Sequence, residues 1–266
     1  MIGGRRKYRS TDHAPPRSRS VVTWCNERII GPRCVTILLA VCAIGISVSA
    51  TPAATTKSAA RNAQALLVIN QRILARAEPA PGSSIVGVVE RRTPLTHVQT
   101  VLPIIETARG PTGGRWVRVR LPMRPNGVSG WVPAYNGKTA KTAWRIVVRR
   151  SARTATVFHG AKARAAFSVV VGQPSTPTPL GTFFIVEKIY VGLRVTDGPW
   201  ALATSAYSNV LHRFAGGPGQ IALHGVAGLS APLGTFSSNG CVRFGNDAIT
   251  WIATHVDNGT PVLITA

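Results

Sequence analysis

Acidic residues are scarce in this chain of 266 residues: 9 Asp and Glu stand against 31 Lys and Arg, a formal net charge of +22. Such a surplus raises nucleic acid as a partner. Other shortages argue against it. Aromatics make up only 6% of the chain, too few for evident base-stacking platforms. No cluster of Lys and Arg stands out after residue 60, and no zinc-finger spacing, basic zipper or RNA-binding signature occurs. Nucleic acid is therefore not an expected partner. An anionic extracellular polymer accounts for the charge equally well, and so does an Arg-rich composition with no specific partner.

Long apolar runs are also lacking. The apolar heart of the N-terminal region, VTILLAVCAIGI at Val35–Ile46, is shorter than the roughly 20 residues that span a bilayer. It follows a polar, basic stretch, Met1–Arg33, with Arg5, Arg6, Lys7, Arg9, Arg17, Arg19, Arg28 and Arg33 against Asp12 and Glu27. Small or moderate residues at Val48-Ser49-Ala50 come next. This is the order of a secretory signal. Residues 1–50 read as an export leader, with cleavage expected over retention as a membrane anchor. The basic end faces the cytoplasm in either case. The rest of the chain is then expected outside the cell, in the cell wall or periplasmic space. Ala53–Ala63 is small and Thr/Ala-rich, so 51–65 reads as a linker.

Cysteine is nearly absent beyond that leader. Of four cysteines, Cys25, Cys34 and Cys42 lie within it, which leaves Cys241 alone in the exported part. A lone cysteine there cannot form an intramolecular disulfide. It is either an inert buried thiol or a reactive one.

What is abundant is β-type pattern. From about Leu66, short runs alternate with Gly/Pro punctuation: IVGVVERR, PLTHVQTVL, and RWVRVRL at Arg115–Leu121, where Trp116, Val117, Val119 and Leu121 mix with Arg as in a half-buried strand. An Asn126-Gly127 turn leads to GWV at Gly130–Val132. Five or so strands over 66–135 suit a small β-barrel. RWVRVRLP, a hairpin and SGWVPA together resemble a bacterial Src-homology-3-like domain, which implies a wall-ligand or peptide-binding module, or a spacer. Residues 136–142 read as a short polar connection. The fold class is thus mainly β, with a second β-rich domain over 143–266: strands at Trp144–Arg150, Thr154–Gly160, Ala165–Gly172, Thr182–Ile189 and Ile221–Gly225, and a closing TPVLIT. Val191–Gly219 has no clear period and is expected to act as a lid. One helix is clear in DAITWIATHV, with Ile249, Ile252 and Val256 on one face, Asn246 or Asp247 as its N-terminal signal and Asn258-Gly259 as its stop.

The residues that carry chemistry lie just before that helix. His224 precedes Cys241 by 17 residues. A thiol needs a nearby base or cation to become a thiolate near neutral pH, and the imidazole pKa suits that task. Gly225 and Gly240 flank the pair and permit close backbone approach. Gly240 just before Cys241 would let backbone N–H groups converge near the sulfur, and such groups can form an oxyanion hole. Singly, His224 reads as a structural histidine, Ser238-Asn239-Gly240 as a turn and Arg243 as a surface residue. Their joint occurrence is what points to catalysis.

His224-Gly225, a spacer and Ser238-Asn239-Gly240-Cys241-Val242-Arg243 resemble the signature of the YkuD-type L,D-transpeptidases. The likeness continues upstream through Thr178-Pro179-Leu180-Gly181-Thr182-Phe183 and downstream to Gly259–Ile264. It implies a β-sandwich-like catalytic domain with Cys241 as acyl-forming nucleophile and His224 as its base. The histidine would be oriented through the residue after it, where Gly225 can offer only its carbonyl. The resemblance also implies oxyanion donors at Gly240 and Cys241 with Asn239 as a third. Ser238 and Arg243 would hold the loop or touch substrate. The implied partners are peptidoglycan stem peptides and, as inhibitors, carbapenems; no metal or organic cofactor is implied. The same Cys/His pair would also serve an L,D-carboxypeptidase, and a catalytically silent wall-binding protein is the reading from another class. NlpC-type peptidases place Cys before His, and sortases carry their Arg far beyond the Cys, so both fit less well.

Overall fold

Period-2 patterns broken by Gly and Pro leave little but strands to form. A computed structural model describes residues 63–192, 198–214, 216–226 and 232–266. The leader and its three cysteines, together with the beginning of the linker, lie outside the described residues. All described residues fall in one compact unit, Thr56–Ala266, and none of their helices is long and apolar enough to cross a membrane.

The first sheet contains β1 (Gln64–Ile69), β2 (Ile73–Arg76), β3 (Ile85–Val89), β4 (Val101–Arg109), β5 (Arg115–Arg120), β6 (Ser129–Pro133) and β7 (Gly137–Thr142). Its strand order is β3-β2-β6-β5-β4-β1-β7. Val117, Val119 and Leu121 alternate into a core with Leu67, Ile69, Leu102 and Val132. The polar connection expected over 136–142 is instead mostly β7, which pairs residue by residue along all of β1. GKTAKT has no apolar alternation because β7 is an edge strand with much of both faces in solvent. The sheet therefore starts inside the expected linker and ends seven residues after the expected domain boundary.

The second sheet takes β8 (Trp144–Arg149), β9 (Thr154–His159), β10 (Lys162–Ser168), β12 (Gly181–Tyr190), β13 (Trp200–Tyr207), β14 (Gln220–His224), β16 (Val242–Arg243) and β17 (Pro261–Thr265). Their order is β10-β9-β8-β17-β12-β13-β14-β16, while β11 (Val171–Gly172) and β15 (Phe236–Ser238) form a small parallel pair. Helix α1 (Asn246–His255) buries Ile249, Ile252 and Ala253. Its N-cap is Gly245 without a side-chain cap bond, so Asn246 is its first residue and not its cap.

The stretch 191–219 is also more regular than its sequence implies. Residues 193–197 and 215 lie outside the described set, but WALATSAY within it is the eight-residue strand β13, buried between β12 and β14. Its Ala, Ser and Thr hid the alternation. The following loop is tied down rather than open. Ser208 N–H donates to Gly219 O (2.8 Å), and the Arg124 guanidinium donates to Ser208 O, Leu211 O and Pro218 O at 2.7, 3.2 and 3.1 Å.

Strand β12 feeds two cores. Phe183 and Ile185 point into the core of the second sheet, with Ile146, Leu202, Leu223 and Ile249. Phe184 and Val186, one residue out of phase, point into the core of the first sheet, with Leu67, Leu102 and Val119. Period 2 sends alternate side chains to opposite faces, and both faces here are covered. That explains the unbroken apolar run FFIV, Phe183–Val186.

Candidate active site

His224 ends β14, and its strand neighbours decide what it meets. Strand β13 pairs antiparallel on one side (Ala201 opposite His224) and β16 pairs parallel on the other (Leu223 opposite Val242, His224 opposite Arg243). A parallel neighbour keeps residues of like phase side by side, so Cys241, just before β16, falls beside Ala222. The Ala222 N–H points at Cys241 Sγ at 3.4 Å. Ala222 and His224 are two apart on one strand and so share a face. In this way two residues 17 apart in sequence reach one patch of sheet.

The imidazole of His224 is buried (6% exposed), and its Nδ1 lies 2.7 Å from Gly225 O. A carbonyl only accepts, so Nδ1 carries a proton, and in the neutral ring Nε2 then carries the lone pair. Gly225 itself is held in tight quarters: a Cβ there would come within 2.6 Å of Asn246 Oδ1 and 3.0 Å of Ile249 Cγ2. Asn246 Oδ1 accepts from Val226 N–H at 2.9 Å, which fixes the chain just after the histidine. The sequence offers Asn246 or Asp247 as the N-terminal signal of the helix; the Asn246 side chain turns back onto the His224 loop instead.

The loop before Cys241 is stitched from below. Ser238 is fully buried; its Oγ donates to Cys241 O (2.6 Å) and accepts from Gly240 N–H (3.2 Å), while Ser238 O accepts from Gln173 N–H (3.0 Å). Ser238 therefore holds the loop. The Gly240 amide, expected as an oxyanion donor, is engaged with Ser238 Oγ and reaches an oxyanion only by sharing or releasing that bond. Thr178, also fully buried, donates from Oγ1 to Gly240 O (2.9 Å) and accepts from Gly172 N–H (2.8 Å). Thr178 opens the Thr178–Phe183 stretch, whose residue pattern carries no sign of these bonds. Gly240 has φ +114°, and a Cβ on it would meet Ile221 Cδ1 at 2.9 Å, so both backbone and space require glycine. Asn239 is half-exposed, with Oδ1 3.5 Å from Gln173 Nε2. Arg243 is anchored by its backbone, which exchanges two 2.9 Å hydrogen bonds with Val170. Among the described residues, no three His, Cys, Asp or Glu are placed to hold a metal ion.

A thiol and an oriented imidazole at one edge of a β-sheet, behind a latched glycine turn, are the kinds of group that cysteine acyl-transfer chemistry uses. Comparison with known proteins narrows this. Residues 143–264 match the model of the YkuD family, the L,D-transpeptidase catalytic domain, and this part of the chain is such a domain. No curated protein matches the chain. Similar solved structures include the LD transpeptidase LdtMt1 in complex with imipenem, at 20% identity over 57% of this chain and 68% of that one, with a TM-score of 0.37. An L,D-transpeptidase from Mycobacterium smegmatis matches at 20% identity over 57% of this chain and 67% of that one, TM-score 0.35. Bd1075 of Bdellovibrio bacteriovorus matches at 27% identity over 46% of this chain and 48% of that one, TM-score 0.37.

Proposed function

We propose that the protein is an exported peptidoglycan L,D-transpeptidase that works through a Cys241 thioester. The observation that carries this is the local geometry of β14 and β16. Cys241 Sγ accepts from the Ala222 N–H, and His224, two residues further along that strand, donates from Nδ1 to Gly225 O, which makes Nε2 the basic nitrogen of the neutral ring.

In the forward step His224 Nε2 takes the thiol proton, and the Cys241 sulfur attacks the carbonyl of the diamino acid in a tetrapeptide stem. The Cys241 amide stands at the attacked carbon and supports the negative oxygen, joined by Gly240 once its bond to Ser238 yields, with Asn239 as a third donor. On collapse the peptide C–N bond breaks, and His224 returns its proton to the leaving D-alanine amine. A side-chain amine of a neighbouring stem then attacks the thioester, forms the new amide and restores the thiol. Arg243, in line after Cys241, is suited to a stem carboxylate.

Intact mass after incubation with a carbapenem tests the nucleophile: one adduct on wild type and none on Cys241→Ala. An unmodified wild type, or an adduct that survives the substitution, would sink the thiol mechanism. His224→Ala should slow acylation by about 10²- to 10⁴-fold, the usual worth of a general base. Muropeptide analysis with donor and acceptor stems must yield dimers joined through two diamino acids; trimmed monomers alone would make the protein an L,D-carboxypeptidase.

A further inference from the structure

At the far end of α1 from the active site lies a second cleft, of about 760 Å³, that the acyl-transfer chemistry does not use. Strand register builds one wall. Trp144 stands opposite His159 across β8 and β9, and His159 stands opposite Lys162 across β9 and β10. Arg164 follows on the same edge strand. Trp251 and His255, four apart on α1, close the other wall. The rings form a continuous surface. His255 stacks on Trp251 (centroids 4.1 Å, 24° between planes), and Trp144 meets His255 at 5.6 Å and His159 at 4.6 Å. Both tryptophans rest partly on the hydrophobic core and are half-buried, while the two histidines, Lys162 and Arg164 are exposed. Among the described residues no carboxylate lines the cleft.

We infer that this cleft is a saccharide subsite that holds the amino-sugar glycan of the strand bearing the donor stem; the inference rests on the peptidoglycan reading above. Aromatic faces carry negative quadrupole density and suit the C–H face of a pyranose. A ring of donors around an apolar floor suits its hydroxyl and acetamide oxygens. His255 Nδ1 lies 2.7 Å from Trp251 O, which fixes that nitrogen as the N–H and leaves Nε2 for the ligand. The cationic rim without aromatic floor would suit any polyanion, but two tryptophans and two histidines in mutual contact select for a sugar ring.

The distance also fits. Ten helical residues span about 15 Å. At its N-terminus Asn246 holds the chain two residues after His224, and Cys241 lies only four residues before Gly245. A tetrapeptide that loses its last residue is attacked at its third carbonyl, and three extended residues reach about 10 Å. The length of the helix and the reach of the stem are of the same order.

The test is titration of the full chain with a peptide-free β-1,4-linked tetramer of N-acetylglucosamine, followed by tryptophan emission. Saturable change is expected, weakened about ten-fold or more, some 1.4 kcal/mol, in His255→Ala and in Lys162→Ala. Both are surface positions, and circular dichroism verifies that each variant folds. Cys241→Ala should bind the sugar as wild type does, so failure of the thiol chemistry and failure of this subsite are read separately. No saturable signal with folded wild type, or equal affinity in both surface variants, overturns the proposal. So does competition by dextran sulfate that vanishes at high salt, because that result makes the cleft a polyanion face.

Discussion

The two sheets differ in how self-sufficient they are. The core of the second sheet is built from residues of its own segment, from Ile146 through Ile264. The core of the first sheet is not: Phe184 and Val186, from a strand of the second, fill it. Hydrogen bonds repeat the asymmetry. Glu187, 2% exposed on β12, accepts from Thr96 N–H and Thr96 Oγ1 at 3.0 and 2.9 Å. From the other side Asn126 exchanges bonds with the Tyr207 backbone (2.7 and 2.8 Å) and Arg124 clasps the β13–β14 loop. The first sheet thus borrows its centre and in return braces β12, the end of β13 and the loop that leads to β14 and His224. A module that merely spaced or tethered the catalytic part would need neither contact.

The severest way to break this comparison is at Phe184. Phe184→Ala should cost about 3–5 kcal/mol, the usual cost of emptying a buried aromatic site, and the loss should appear in both sheets together. Urea unfolding followed by emission from Trp116 and Trp131 in one sheet, and Trp200 and Trp251 in the other, would report it. Two separate transitions, with only the first-sheet signal moved, would show the cores to be independent.

Thr178→Val sharpens the contrast from within the second sheet. It keeps the shape and removes the hydroxyl that bridges Gly172 N–H and Gly240 O. Leaving buried backbone groups unpaired costs about 1–3 kcal/mol. Because Gly240 is one of them, thiol acylation by a carbapenem should slow along with the fall in stability. Unchanged acylation would mean that the glycine turn keeps its geometry without the latch.

Thr178 also shows where sequence reading stops. The sequence signature groups Cys241, His224, Gly240 and Ser238, and the pairing of β14 with β16 and the Ser238 bonds bring those positions to one end of the sheet. Strands with clean alternation, such as RWVRVR and WRIVVR, were legible as well. Strands β7 and β13 were not: one is polar on both faces at a sheet edge, and the other is small-residue and buried on both. Nor could Asn246 be assigned, since an Asn before an apolar periodic run has the same appearance whether its side chain caps its own helix or holds a neighbouring loop. The shared core escaped because FFIV reads as one buried strand, and no local pattern tells which partner covers each face.

Arg124→Ala probes the brace itself. It removes donors to three carbonyls and a guanidinium 5.0 Å above the Tyr207 ring. The groups are partly exposed, so water replaces some of what is lost, and a stability loss of about 1–2 kcal/mol is expected. Proteolysis should start in the loop 208–219, ahead of global unfolding. Cleavage first in the first sheet would place the weak point elsewhere.

The smallest effect is on alkaline stability. Burial raises the Tyr207 phenol above its usual pKa of about 10, and the Arg124 guanidinium pulls it part of the way back. The folded state therefore holds this proton more tightly than the unfolded chain does. Its contribution to stability is complete below the unfolded value, about pH 10, and disappears as pH rises through the folded one. Tyr207→Phe removes the titrating group and also the 3.0 Å bond from Tyr207 Oη–H to Pro122 O. The variant should accordingly start about 0.5–1.5 kcal/mol less stable at neutral pH but lose less on going from about pH 8 to 11. Urea midpoints across that range should converge, since the wild type alone must ionise a phenol pressed between the two sheets. Parallel curves would mean that Tyr207 is wetter in solution than its contacts with Pro122 and Arg124 imply, and that the brace opens without unfolding either sheet.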